Sequence, residues 1–202
     1  MTYLISTLIF AAVGTAQLNI FEIEGIFSNA HINALEDHIE EYEYTKDDLL
    51  ILQYSSKEGS TESIAELNSL LSGYDFPIGV WFGPYKISVD FKQLNNFDYI
   101  GFSPGVEINN VSFDESVEKK YCTVNICNFE DRKIIVSSNE GIYDNYLIVG
   151  TLGSFIENID FVISDQSIEF FKPSLFERFY IAISNPIFTY MFFVLGFALI
   201  GL

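Results

Sequence analysis

Between residues 18 and 82 the hydrophobic period switches repeatedly between two and about 3.6, and that rhythm limits the fold more than any other feature of the chain. Residues 18–24 (LNIFEIE) alternate and stop at Gly25, which predicts a strand and a turn. From Asn29, Ala30, Ile32, Leu35 and Ile39 recur at helical spacing, with Glu36, Asp37, Glu40 and Glu41 opposite. Residues 49–52 (LLIL) form a short continuous apolar run, as a strand covered on both faces requires. Ser60 or Thr61 can cap a second helix with Ile64, Leu67, Leu70 and Leu71 as its buried stripe, closed by Gly73. Residues 78–82 (IGVWF) and 99–102 (YIGF) predict two further strands. Strand, helix, strand, helix, strand implies a parallel sheet with right-handed crossovers. Past Pro104-Gly105 the pattern weakens: 121–127 and 133–137 read as strands, and 153–160 as a short helix. Residues 161–168 and 169–173 lead toward the C-terminus, and neither a repeat nor a low-complexity linker interrupts the chain.

Residues 179–202 carry no charged side chain. At about 1.5 Å per helical residue this run is long enough for a hydrocarbon core of about 30 Å, so a transmembrane helix is expected, with Asn185-Pro186 near its start. The first 16 residues are expected to be a signal peptide or an N-terminal membrane segment. Their apolar stretch, 4–13, is followed by Gly14-Thr15-Ala16, although residues 1–3 lack the usual Lys or Arg. Residues 17–178 then form one domain of ordinary size that holds every charged side chain of the chain and its net charge of −18. Such a domain repels nucleic acid and anionic lipid surfaces. Lys172 and Arg178 flank the apolar run and by the positive-inside tendency favour a cytoplasmic domain, whereas the N-terminal pattern favours export, the preferred orientation.

The polar residues offer little chemistry by themselves. Cys122 and Cys127 are too few for a disulfide framework and read as buried thiols. His31 and His38 stand seven apart on one helix, lack a third ligand, and read as surface residues rather than a metal site. Asp47-Asp48 and Asp114-Glu115 read as turn and solvent carboxylates. No phosphate loop or dinucleotide fingerprint is present, so no cofactor is expected. The 20 Phe and 12 Tyr serve the core and the apolar terminus, and at the domain's base they can mark a partner surface.

Several segments in order resemble the Clp-protease-like domain of NfeD-type membrane-bound serine proteases. IFEIEGIFSNAHINALEDHIEE is similar to that family's first strand and helix, and LQYSSKEGS stands where its second strand enters a Gly-Gly turn. GVWFGP, YIGFSPGVEI and GTLGSFIENIDFV resemble its third strand, its Pro-Gly segment and its closing helix. FERFYIAISNPIFTYMFFVLGFALIGL resembles its first membrane helix. The resemblance implies a crotonase-like (Clp-protease-like) α/β fold with a mainly parallel sheet and flanking helices, on an extracytoplasmic face. Family members continue into further membrane helices and a small β-barrel, and the chain is expected to be either a natural short form or a truncated one.

The resemblance fails where the family keeps its chemistry. The Gly-Gly turn presents backbone N–H groups to the charge that develops in the transition state. Here the corresponding positions are Glu58 and Gly59, with Lys57 in place of the family's proline. The Ser-Ala-Gly nucleophile segment is missing between Pro84 and Pro104, where Ser88 is the nearest substitute. A lysine base would have to be Lys119, Lys120 or Lys133. The expected function is therefore a membrane-anchored, non-catalytic scaffold or partner-binding module. The alternative is an active membrane-bound serine endopeptidase using Ser88 and one of those lysines. The expected partners are the membrane, other membrane proteins and a second copy of the chain, without metal or nucleic acid.

Overall fold

The computed structural model describes residues 16–59, 61–84, 87–88, 94, 96–109, 127–130, 133–143, 146–161, 168–171, 175–184 and 186–200. A seven-stranded sheet forms its centre. β1 (Leu18–Phe27), β2 (Leu49–Gly59), β3 (Ile78–Phe82) and β5 (Tyr99–Phe102) lie side by side and parallel, as the sequence rhythm predicts. β10 (Tyr146–Ile148) extends the sheet in parallel beside β5, and β9 (Gly141–Tyr143) closes that edge antiparallel. The other edge is β11 (Ile168–Phe171), parallel to β1. A smaller sheet contains β4 (Ile87–Ser88), β6 (Glu107–Asn109), β8 (Lys133–Val136) and β7 (Cys127–Glu130), in that order. This is the expected mostly parallel sheet with flanking helices.

Strand alternation divides the core into two layers. Phe21 and Ile23, Leu50 and Leu52, Val80 and Phe82 point to one face. They pack there with Ile32, Leu35 and Ile39 of α1 (Asn29–Tyr42) and with Leu67 and Leu71 of α2 (Thr61–Leu71). Leu18, Ile20, Leu49, Ile51 and Trp81 point to the other face, where Phe155 of α3 (Leu152–Asn158) joins them. Thr151 caps α3 by accepting the Ser154 N–H at 3.0 Å. Gly101 makes this second layer fit: a Cβ there would stand 2.5 Å from the Phe155 ring and 2.9 Å from Trp81.

Three expectations need correction. β1 does not end in a turn at Gly25. Gly25 takes φ +79° and the register skips Lys57, pairing Gly25 with Ser56 and Ile26 with Glu58, so a β-bulge carries the strand to Phe27. The histidines are not surface residues. His31 is 2% exposed and its Nε2 lies 3.0 Å from the Glu24 carbonyl; His38 is also buried, with Nε2 2.9 Å from the Tyr44 hydroxyl. Asp48 is buried, accepting from Thr45 N and Oγ1 and from Gln17 N at 2.7–2.9 Å. Burial alone would raise its pKa, but these donors hold the carboxyl below its ordinary value.

The single transmembrane helix expected of the apolar terminus finds no support among the described residues. The described residues of that terminus form α4 (Leu175–Ser184) and α5 (Pro186–Ile200), and residue 185 between them lies outside the described residues. Among the described residues no helix is long and apolar enough to cross a membrane. Residues 1–15 and 121–126, Cys122, and the Asp114-Glu115 pair lie outside the described residues.

Candidate functional site

The carboxyl ends of β1, β2, β3 and β5 lie along one edge of the large sheet, the edge at which open parallel sheets bind ligands. Successive strand ends are tied together there. Gly83 N–H donates to Tyr54 O at 3.0 Å, Ser103 N–H to Phe82 O at 2.8 Å, and Val149 N–H to Phe102 O at 2.9 Å. Gly83 permits the close approach, because a Cβ at that position would stand 3.0 Å from Ser55 Oγ. Beneath this edge Tyr54 is buried between Phe27 and Phe82, and burial pushes its hydroxyl pKa up to about 12. It is therefore neutral at ordinary pH.

At the position of the family's Gly-Gly turn, β2 remains a strand. Glu58 pairs with Ile26 and Gly59 with Phe27 in the parallel ladder. Ser56 fastens the bulge from within: its fully buried hydroxyl donates to Gly25 O at 2.8 Å and accepts Phe27 N–H at 3.0 Å. Sequence reasoning missed this residue, because one serine among several in a polar run gives no sign that a bulge needs its hydroxyl.

Ser88 ends the two-residue strand β4 and pairs in parallel with Asn109 of β6. It is part of a strand, not the start of a helix. Lys133 opens β8, on the far side of β6 in the same small sheet, so one strand separates the two residues. Lys119 and Lys120 lie outside the described residues.

A second feature adjoins β1. Glu22, Glu24, Ile26 and His31 line a cleft of about 340 Å³ with Arg178, Ile181 and Ala182 of α4. His31 closes its inner wall, and burial lowers its pKa against the smaller raising effects of the Glu24 and Ser28 backbone. Among the described residues no three His, Cys, Asp or Glu side chains are grouped to hold a metal ion.

No family model matches the chain, and no curated protein matches its sequence. Solved structures do match its fold. The 1510-N membrane protease specific for a stomatin homolog from Pyrococcus horikoshii aligns over 85% of this chain and 100% of its own, with TM-score 0.57 and 9% identity. A Lys-to-Ala mutant of the 1510-N membrane-bound stomatin-specific protease, in complex with a substrate peptide, aligns over 86% and 100%, with TM-score 0.54 and 8% identity. The chain has the fold of these proteases. At such identity the likeness extends to the fold alone, and it supports the NfeD-type resemblance at that level.

Proposed function

We propose that the chain is a membrane-anchored Clp-protease-like domain that has given up catalysis and serves as a scaffold or partner-binding module. The observation that carries this reading is β2, which continues as a paired strand through Glu58 and Gly59. An oxyanion hole needs backbone N–H groups that converge on one point, whereas successive N–H groups of an extended strand point to opposite sides, so those of Glu58 and Gly59 do not converge on one substrate oxygen. Ser88, held in a two-residue strand, also lacks the helix-start setting of the family's nucleophile.

Anchoring is supported by α5. Its large apolar side chains are exposed on every side, from 46% at Phe188 to 75% at Leu199. A helix apolar all round is at home within a larger apolar phase, and lipid is the phase its neighbours in fold, both membrane proteases, bring to mind first. By the same likeness a membrane protein of the stomatin kind is the partner to try first, with the domain extracytoplasmic.

The peptidase alternative draws on one observation, the placement of Ser88 and Lys133 in the same small sheet with β6 between them. A serine-directed fluorophosphonate separates the two readings. The purified protein is expected to remain unlabelled and to leave unstructured apolar peptides intact, since nucleophile, base and oxyanion donors act as a unit. Stoichiometric labelling that disappears in Ser88→Ala would reject the non-catalytic reading.

A further inference from the structure

The opposite edge of the sheet carries a second concavity, unconnected with the family's chemistry. A groove of about 540 Å³ opens where the ends of α1 and α2 lead into β2 and β3. Tyr44, Tyr74 and Phe76 form its aromatic wall: Tyr44 stacks on Phe76 at 4.5 Å, and Tyr74 tilts against Phe76 at 5.4 Å. The Tyr44 hydroxyl is fixed from behind by His38. The wall is thus built into the core rather than draped on the surface.

The rim is acidic. Glu43 and Asp75 line the groove, and Glu36 and Glu40 of α1 stand near Tyr74. After burial, the charges of Glu36 and Glu40 push the Tyr74 hydroxyl pKa upward. A single cation lines the groove among the described residues, Lys46, whose Nζ lies 3.2 Å from Asp75 Oδ2. Both side chains of that pair are largely exposed, at 78% and 88%, so the contact is weak and easily exchanged. The protein already places one of its own cations beside an aromatic wall, on a carboxylate that another cation can claim.

We propose that this groove binds an arginine side chain of an extended basic segment in a partner protein. A guanidinium can lie flat on a tyrosine face while its N–H fork meets a carboxylate, and it is less tightly hydrated than an ammonium. The net charge of −18 steers a basic segment toward the domain, and the aromatic wall selects the place where it settles. The inference rests on the partner-binding reading and names the chemistry of the partner. Its edge of the sheet is the amino edge, so binding there leaves the carboxyl edge open.

The test uses the full chain in non-ionic detergent, titrated with a fluorescein-labelled peptide of alternating arginine and serine and followed by anisotropy. A citrulline counterpart keeps the shape and removes the charge; it is expected to bind at least about tenfold more weakly. Tyr74→Leu, which keeps apolar bulk but loses the ring face, and the exposed change Asp75→Asn should each weaken the arginine peptide. Lys46→Ala should strengthen it by removing the competing cation. Glu157→Gln, on the exposed side of α3, controls for diffuse attraction to an acidic protein and should change nothing. Equal binding of both peptides, or equal losses in the Glu157 and Asp75 variants, would overturn the proposal. Absence of peptide binding with Ser88 unlabelled by fluorophosphonate rejects the groove alone, whereas labelling of Ser88 rejects the reading beneath it.

Discussion

His38 and Phe171 lie ring over ring, with centroids 4.0 Å apart and planes inclined by 28°. His38 belongs to α1 and Phe171 ends β11, so this contact fastens the last strand of the large sheet to its first helix. Phe21 stacks on Phe171 from the sheet at 5.5 Å, and the Tyr44 hydroxyl holds His38 Nε2 in place. The outer face of β11 has no such fastening, since Ile168 and Phe170 are exposed.

Phe171→Ala should therefore loosen β11 before anything else. A partly buried aromatic removed from a stack costs about 3 kcal/mol, the lower end of the range for core aromatics. Urea denaturation should register that loss, and amide exchange in residues 168–171 should accelerate more than exchange in β2 or β3. Uniform acceleration throughout the sheet would show that the stack does not fasten β11 locally.

Within the first hundred residues the longer elements are legible because each announces itself over its own length. α1, β3 and β5 occupy the spans that their apolar spacing predicts. β11 was not readable for the opposite reason. Its partner strand lies some 150 residues upstream, and three of its four side chains face solvent, so no local alternation marks it. The strands of the small sheet, two to four residues each, are too short to display a period. The readings of His31, His38 and Asp48 fail, and Ser56 gives no signal, because residue type says "surface", while each is buried to satisfy a particular backbone or side-chain group. The aromatic groove escaped notice because Tyr44 and the Tyr74-Asp75-Phe76 segment sit in separate loops that only the parallel sheet brings together. The candidate catalytic positions came from resemblance alone. The resemblance alone places Glu58 and Gly59, yet only the ladder register reveals a strand where it implies a turn.

Ser56→Ala tests the bulge. The change leaves Gly25 O and Phe27 N–H facing a methyl group inside the protein. An unsatisfied buried polar group costs about 1–3 kcal/mol, and here two share the loss. The stability change should fall within or slightly above that range, with Ser56→Thr recovering part of it through the retained hydroxyl. Neutral behaviour of the alanine variant would mean that the bulge relaxes freely.

Gly101→Ala should be worse than its single methyl group implies. The added Cβ would overlap both the Phe155 ring and Trp81, and ring and indole are packed on a sheet that cannot retreat. Overpacking of this kind costs about 1–3 kcal/mol. A double variant, Gly101→Ala with Phe155→Leu, should recover part of the loss if the clash with Phe155 is its cause. Additive losses would locate the strain elsewhere.

Retention on membranes should depend on the apolar terminus. Ten large side chains of α5 are exposed, and full burial is worth about 1.5–3 kcal/mol apiece. That sum far exceeds what surface charge can hold, so the full chain should stay with membranes through high-salt and carbonate washing. Removal of residues 179–202 should release it. Release of the full chain by salt alone would refute lipid burial and leave a protein partner to cover the helix.

The buried His31 gives stability a defined pH dependence. Its folded pKa lies below the ordinary 6.5, because burial disfavours the imidazolium at the inner wall of the cleft. In the unfolded chain the ring regains a pKa of about 6.5. Between the two values the unfolded state holds more protons, so stability rises with pH; the contribution is complete above about 6.5 and is lost as pH falls below it. Glu22, Glu24 and Arg178 face the same cleft, and Asp48 adds its own loss at lower pH, since its folded pKa lies below the unfolded value. A comparison of variants removes these shared contributions. His31→Gln retains a side-chain N–H able to reach the Glu24 carbonyl but has no proton to gain. Urea midpoints measured from pH 7.5 down to pH 5 should fall more steeply for the native protein than for His31→Gln. Parallel profiles would mean that His31 becomes protonated in the folded state as readily as in the unfolded one, with the cleft open enough to hydrate it.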